Sequence, residues 1–417
     1  MGPFEHAPQI AVAVSGGADS LALMHLLKNW VAGHGGRLTA LTVDHGLRPE
    51  SAAEAAQVSA WAAAAGIDHR ILRWTGDKPT GGLQAAARAA RYDLMTDWCR
   101  AAQVHHLLIA HQFDDQRETI AMRRARNPDS DLGLAGMSAI TVRNGIRLLR
   151  PLLNVPGADL RAYLREHSLA WIEDPSNQST RFERIRWRQG LEGPLPDRAD
   201  IARWGRQRQA LEAETGDHLL RAVEIHPAGH VLIDLDAWGE GPEPVRHLAL
   251  TRLIGMIGGG DHPPAKAALA RIEAGLRDGA PVASLGGTLI GRWRGRGLVC
   301  REAGCVRHVL VGSGLWDGRF EVSNKEEKGG EKVSILGDSG IAEIGLSGYS
   351  RTLGKDIPPI ARPALPAIRD ATGRLIYVPY LGFDPYGRGE SVQIRFLPRN
   401  SATSSGFTVA HGWPHTI

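Results

Sequence analysis

Ser15-Gly16-Gly17-Ala18-Asp19-Ser20 interrupts an otherwise apolar stretch, "AVAVSGGADSLAL" over 11–23, with residue types that together suit a phosphate group. Two successive glycines let the backbone turn tightly and aim consecutive N–H groups at one point. The start of a helix adds its positive dipole end, and Ser15 and Ser20 add hydroxyl donors. An ordinary strand-to-helix turn is the alternative. The chain has no Walker-type G-x-x-x-x-G-K segment. Without that reaching lysine, the turn suits a held pyrophosphate better than transfer of a γ-phosphoryl.

Other pairs have the spacing to act together. Arg88 and Arg91 stand three apart in "QAAARAARYDL" (84–94), so one helix face brings both to a common anion or, alternatively, to solvent. Asp115 and Glu118 are three apart in "AHQFDDQRET" (110–119). Two carboxylates on one face suit a cationic amino-acid substrate, although helix capping would also explain Asp114 and Asp115. Asp44 and His45 end a strand, where they would contact a ligand or a metal, unless Asp44 only forms the turn. The pair His105-His106 lacks ligand spacing and reads as structural.

The elements that must position these residues alternate. Short β-branched runs ("IAVAVS", "LTALTVD", "HRILRW", "HHLLIA") are followed by helical stretches over 19–33, 51–66, 83–101 and 114–126. Alternation of this kind implies right-handed crossovers and a doubly wound parallel sheet, a Rossmann-like α/β domain. Ligands in such sheets collect at the carboxyl ends of the strands, where Ser15, Asp44 and His111 fall. "RLLRPLL" (147–153), a helix over 156–167 and an Arg-rich helix reaching about 215 complete a first domain over 1–215. Residues 216–305 and 306–417 read as two smaller α+β domains. Within them lie a helix over 265–278, a hairpin "GGTLIGRWRGRGLVC", and a charged hairpin loop "NKEEKGGEK" (324–332).

Composition adds bounds. The 417 residues carry a net charge of +4 with arginine prominent, which suits an anionic partner such as nucleic acid. Three cysteines without a close pair point away from a disulfide scaffold or a structural zinc. No signal-like N-terminus or long apolar run occurs, so the expectation is a cytoplasmic protein with no membrane association.

Ser15-Gly16-Gly17-Ala18-Asp19-Ser20 resembles the SGGxDS signature of the PP-loop ATP pyrophosphatases, which split ATP into AMP and pyrophosphate while adenylating a substrate. With "VDHGLRPES" (43–51), "QAAARAARYDL", "AHQFDDQRET", "GLAGM" (133–137), "RPLL" (150–153) and "WIEDPSN" (171–177) in series, the chain is similar to the tRNA(Ile)-lysidine synthetase family. The likeness is tight over about 1–190 and looser beyond, where it includes a three-domain layout and "LWDGRFEV" opening the last domain.

The resemblance implies ligation of free L-lysine to the wobble cytidine of tRNA(Ile) with anticodon CAU, through an adenylated cytidine. ATP and Mg²⁺ are the implied cofactors. Ser15 to Ser20, with Asp44 and His45, would bind ATP, and Asp19 would hold the metal. A carboxylate among phosphates is otherwise repulsive. Arg91 would stabilise charge on the α-phosphate, Asp115 and Glu118 would hold lysine, and His111 would touch the cytidine or the adenylate. Arg184, Arg186, Arg188 and Arg294 would contact tRNA, the tryptophans Trp187 and Trp204 filling core. Here the family's Asn-Arg-Ile-Arg run reads Phe182-Glu183-Arg184-Ile185-Arg186. The oligomeric state stays open, with a homodimer among the options. A tRNA thiolase on the same loop is the rival reading; it would need a reactive cysteine or an iron–sulfur cluster.

Overall fold

The computed structural model describes residues 2–47, 49–76, 78–79, 81–126, 135–173, 186–187, 194–260, 263–306, 308–325, 330–346, 354–400 and 402. They form two compact units that divide between Ala210 and Leu211.

The first unit is built on a six-stranded sheet. Its strands are β1 (Gln9–Ala13), β2 (Arg37–Asp44), β3 (Asp68–Arg73), β4 (His106–Leu108), β5 (Ile140–Arg143) and β6 (Ile146–Leu149), in the order β3-β2-β1-β4-β6-β5. All neighbours run parallel except β5 with β6. Side chains of β1 alternate between two cores, as a pleated strand requires. Ile10, Val12 and Val14 pack with residues of α1 (Ala18–Gly33), α2 (Ser51–Ala64) and a later helix over Gly157–Glu166. Ala11 and Ala13 face the opposite way, onto Tyr92, Met95 and Cys99 of α3 (Leu83–Ala101). Helices therefore cover both faces, and the sheet is doubly wound as expected.

The antiparallel edge was not foreseen. Asn144 and Gly145 both have positive φ, 51° and 80°, and join β5 to β6 in a two-residue hairpin. "Asn-Gly" is the residue pair that such a turn favours, so the signal was present in the sequence.

A fourth helix, α4 (Phe113–Arg126), begins after β4, and the Gly157–Glu166 helix is α5. The helix α6 (Arg198–Ala222) begins against α4, where Phe113, Ile120, Ile201 and Trp204 form a small core. Trp187 is buried too, so both tryptophans fill core as anticipated.

The second unit contains a five-stranded antiparallel sheet. Its strands β7 (Val223–His226), β8 (His230–Ile233), β9 (Ala283–Leu285), β10 (Thr288–Trp293) and β11 (Arg296–Arg301) take the order β7-β8-β11-β10-β9. One face carries α8 (Glu243–Gly258) and α9 (Lys266–Asp278), after the short α7 (Leu235–Gly239). Seven further strands follow. Four, namely β12 (Leu310–Val311), β15 (Lys332–Ile335), β16 (Pro366–Arg369) and β17 (Leu375–Tyr377), make one sheet. The other three, β13 (Gly314–Trp316), β14 (Phe320–Asn324) and β18 (Val392–Phe396), make another. The strands flanking "NKEEKGGEK" thus belong to different sheets, and the charged segment is a crossover rather than a hairpin loop.

"LWDGRFEV" is a buried staple. Asp317 accepts from Arg301 Nε and Nη2, both at 3.1 Å, and from Arg319 Nε at 2.8 Å. Arg301 also donates to the carbonyls of Gly258, Gly287 and Cys305. Burial drags the pKa of Arg319 down to about 10 despite Asp317 beside it.

Candidate active site

β1 ends at Ala13, and the chain turns through Val14 to Gly17 before α1 begins at Ala18. Gly16 takes φ +90°, a region open to glycine. Ile172 closes the turn from behind: its N–H donates to Gly16 O at 2.9 Å. A methyl on Gly16 would stand 2.8 Å from Ile172 Cδ1 and 3.1 Å from Val58 Cγ2. Part of "WIEDPSN" therefore shapes the loop, while residues 174–177 lie outside the described residues.

Ser15 N–H donates to Ser20 Oγ at 3.2 Å, and Ser20 Oγ donates to Gly17 O at 2.9 Å. These bonds hold the turn closed on itself. No side chain caps α1 at Gly17, and Asp19 stands in its first turn. A helix start without a side-chain cap, behind a glycine turn, leaves backbone N–H groups of the kind that anions use. Thr42 braces the turn by donating from Oγ1 to Val14 O at 2.8 Å.

The next strand end supplies a basic recess of about 500 Å³, lined by His45, Gln84, Ala85, Ala87, Arg88 and Arg91. Burial lowers the pKa of His45, the guanidinium of Arg91 lowers it further, and Asp44 opposes both. The charged form of the imidazole is thus disfavoured. Among the described residues its buried Nδ1 has no hydrogen-bond partner. Asp44 Oδ1 accepts from Gly46 N–H at 2.9 Å, the turn-forming role held open for it. Arg88 Nη2 donates to Tyr92 Oη at 3.3 Å, and both Arg88 and Arg91 lie against the Tyr92 ring.

The carboxylates of α4 lie at the carboxyl edge of the same sheet. Asp115 Oδ2 accepts from Gln112 N–H at 3.1 Å, and Asp114 Oδ2 accepts from Gly157 N–H at 3.2 Å. Asp115 thus caps the start of its own helix, whereas Asp114 bonds to the first residue of the helix over Gly157–Glu166. Glu118, one turn on, is wholly buried. Gln116 clasps the 135–137 segment from the same helix: its Nε2 donates to Met137 O at 2.8 Å and its Oε1 accepts from Met137 N–H at 2.6 Å. Gly136, at φ +70°, admits that amide because a methyl there would lie 2.6 Å from Gln116 Oε1. His111 falls in the segment between β4 and α4.

The PP-loop domain family ATP_bind_3 matches residues 2–193. A tRNA(Ile)-lysidine synthase of Ruegeria pomeroyi is 40% identical over 343 residues, 80% of this chain and 80% of its own length. Enzymes of the same name from Rhizobium meliloti and Orientia tsutsugamushi are 37% and 32% identical, covering 79% and 80% of this chain and 76% and 79% of their own. This chain belongs to the tRNA(Ile)-lysidine synthase family.

Arg186 is helical, and Arg184 and Arg188 lie outside the described residues. In the β10–β11 hairpin, Arg292 donates from Nε and Nη2 to the carbonyls of Leu276 and Arg277, which cap the end of α9. Arg296 pairs with Glu224 at 2.6 Å, and Arg294 stacks on Trp293 while donating to Lys355 O at 3.2 Å. His106 is structural, its Nε2 lying 2.7 Å from Glu5 Oε2.

Arg150 of "RPLL" escaped notice as a brace. It is buried and donates to Ser138 O at 2.9 Å and to Thr141 Oγ1 at 3.1 Å. Cys99 is buried in α3, which pushes its thiol up to about 12 and leaves no thiolate at neutral pH. No helix among the described residues is long and apolar enough to cross a membrane.

Proposed function

We propose that this protein converts the wobble cytidine of tRNA(Ile) with anticodon CAU to lysidine, consuming ATP and free L-lysine in the cytoplasm and releasing AMP and pyrophosphate. The observation that carries the reading is the 40% identity to a tRNA(Ile)-lysidine synthase along 80% of the chain, because it extends well past the PP-loop match at 2–193.

In this reading the cytosine O2 attacks the α-phosphorus and pyrophosphate leaves. The lysine ε-amine then attacks carbon two, AMP departs, and the nitrogen gives up a proton. Ser15, Gly16, Gly17, Ala18 and Ser20 hold the pyrophosphate. Arg91 offsets the charge that grows on the α-phosphate, an interaction stronger in the transition state than in bound ATP. Asp44 and His45 line the adenosine side, where a neutral imidazole with a buried Nδ1 offers a hydrogen bond without repelling Arg91.

Asp115 and Glu118 receive the lysine ammonium, and one of them takes the proton as the amine attacks. Arg184, Arg186, Arg188 and Arg294 contact the tRNA backbone, within a domain division at about 215 and 305.

The donor set near the cradle is oxygen only, Asp19 with the two serine hydroxyls. It fits Mg²⁺, which binds through one or two carboxylates plus substrate phosphates. When bound, Mg²⁺ would supply charge neutralisation for the leaving pyrophosphate, and Asp19 would hold it.

The test is incorporation of labelled lysine into an unmodified tRNA(Ile) transcript with anticodon CAU, with the methionine tRNA as control. Alkali-stable label confined to the isoleucine tRNA is expected. ATP cleavage dependent on another tRNA, with no label, would replace this reading by a different base modification. A thiolase reading is disfavoured by the inert setting of Cys99 and of Cys300, whose thiol burial also pushes up to about 12.

A further inference from the structure

Trp74 directly follows β3, and its N–H donates to Asp44 O at 2.9 Å. That bond carries the indole to the carboxyl edge of the sheet, beside His45. The two rings meet edge to face, 5.9 Å between centroids at 90°. Lys78 places Nζ 5.4 Å from the indole centroid, and its charge is one of those that lower the pKa of His45. Both side chains are half-buried, and neither belongs to the cradle or lines the recess.

β3 is an edge strand, with Arg70 and Arg73 exposed along it. Those two arginines, three apart on a strand, face opposite sides of the sheet, and beyond them Trp74 and Lys78 stand beside His45 at the mouth of the recess. An ATP molecule has its anionic groups at the cradle, two strands away in the order β3-β2-β1. Cationic side chains beyond the site, Lys78 with the exposed arginines of β3, fit a polyanion that continues past it.

We propose that Trp74 and Lys78 form a nucleotide subsite at the mouth of the active site, where the indole stacks on an RNA base and Lys78 meets that nucleotide's phosphate. The proposal rests on the tRNA-modifying function given above. A nucleotide presents a π face with an anion close by, and this pair presents the two complements. In the free protein the ammonium lies over the indole face. An arriving base takes that face, and the ammonium moves to the phosphate the base brings with it. Stacking accepts any base, so the subsite grips a neighbour of the wobble cytidine and does not select it.

The experiment uses the full chain, an unmodified tRNA(Ile) transcript and lysine incorporation. Trp74→Ala raises the KM for tRNA about 10-fold or more and leaves that for ATP within about two-fold, while Trp74→Phe keeps most of the binding. Lys78→Gln weakens tRNA binding and lowers the slope of log Kd against log salt by about one. An equal rise in both KM values for Trp74→Ala would overturn the proposal and put the adenine of ATP on the indole. Unchanged tRNA binding in both variants would overturn it too. Should Trp74→Ala fail to fold, the salt slope of Lys78→Gln decides the matter alone. If the wild type binds tRNA with a Lys78-dependent slope but makes no lysidine, the function fails and the subsite stands. If the wild type makes lysidine and neither variant differs from it, the subsite alone fails.

Discussion

Alanine at Gly17 and alanine at Gly16 should separate binding from folding in adjacent residues. Gly17 has φ −73° and ψ 159°, ordinary extended backbone, and a methyl there would meet only Ser15 Oγ at 3.7 Å. Alanine caps a helix less well than glycine, by about 0.5–1 kcal/mol, and stiffening the unfolded chain returns about 0.4–1 kcal/mol. The ligand-free stability of Gly17→Ala should therefore stay within about 0.5 kcal/mol of wild type. Gly16 differs in both respects. Its φ of +90° strains any side chain by about 1–2 kcal/mol, and the methyl would press on Ile172 and Val58 for about 1–3 kcal/mol more. Gly16→Ala should thus lose about 2–5 kcal/mol. For binding the order reverses in interest, since the Gly17 methyl enters the space faced by the loop's N–H groups. A tenfold weaker ATP complex, about 1.4 kcal/mol, is the least expected. Thermal unfolding with and without ATP reads both effects: saturation at 100 Kd stabilises wild type by about 2.7 kcal/mol, and Gly17→Ala should lose at least about half of that gain. A full ATP-induced gain in Gly17→Ala would refute the cradle. An unshifted ligand-free midpoint in Gly16→Ala would refute the clamp by Ile172.

Three further outcomes are expected. Asp115→Asn combined with Glu118→Gln should raise the KM for lysine about 10- to 100-fold, the worth of a charge-assisted hydrogen bond, with little change for ATP; equal effects on both substrates in steady-state kinetics would remove the lysine assignment. His230 is buried and its pKa falls to about 4, through burial first and then His226, with Glu224 opposing. The stability this neutral imidazole contributes is complete above about pH 6.5 and is lost as pH drops towards 4, roughly 3 kcal/mol in all, so the drop in urea midpoint between pH 7 and pH 4.5 should shrink in His230→Gln; an unchanged drop would show that other groups dominate. Arg292→Ala should cost about 1–2 kcal/mol by uncapping α9 while leaving tRNA affinity intact, and a loss of affinity in filter binding would instead make that guanidinium an RNA contact.

Much of the first unit was legible because its signals are local and repeated. Alternating runs such as Ile10, Val12 and Val14 against Ala11 and Ala13 serve two faces of one sheet, and helices with apolar stripes follow each strand. The loop Ser15 to Ser20 was readable for a related reason, as its chemistry lies in consecutive residues. What stayed hidden depends on residues far apart. Nothing near Gly16 announces that Ile172 closes its turn, and nothing near Arg292 shows that its guanidinium caps a helix ending at Asp278. The arginines of one hairpin look alike in sequence, yet one caps a helix, one stacks on Trp293 and one pairs with Glu224. Asn144-Gly145 is the opposite case, a local signal that was available and went unread.

The staple of Arg301, Asp317 and Arg319 bears on how this chain can be cut or inherited. Arg301 ends β11 of one sheet, while Asp317 and Arg319 precede β14 of another. Leu232, Leu298 and Cys300 share a core with Leu336, Ile357 and Leu365. A stop codon between Arg301 and Asp317 would remove the carboxylate that Arg301 pairs with and bare an apolar sheet face. The product would be a substrate for proteolysis, not a smaller enzyme. Gene-level rearrangement can therefore exchange or lose the region after the five-stranded sheet only together with that sheet.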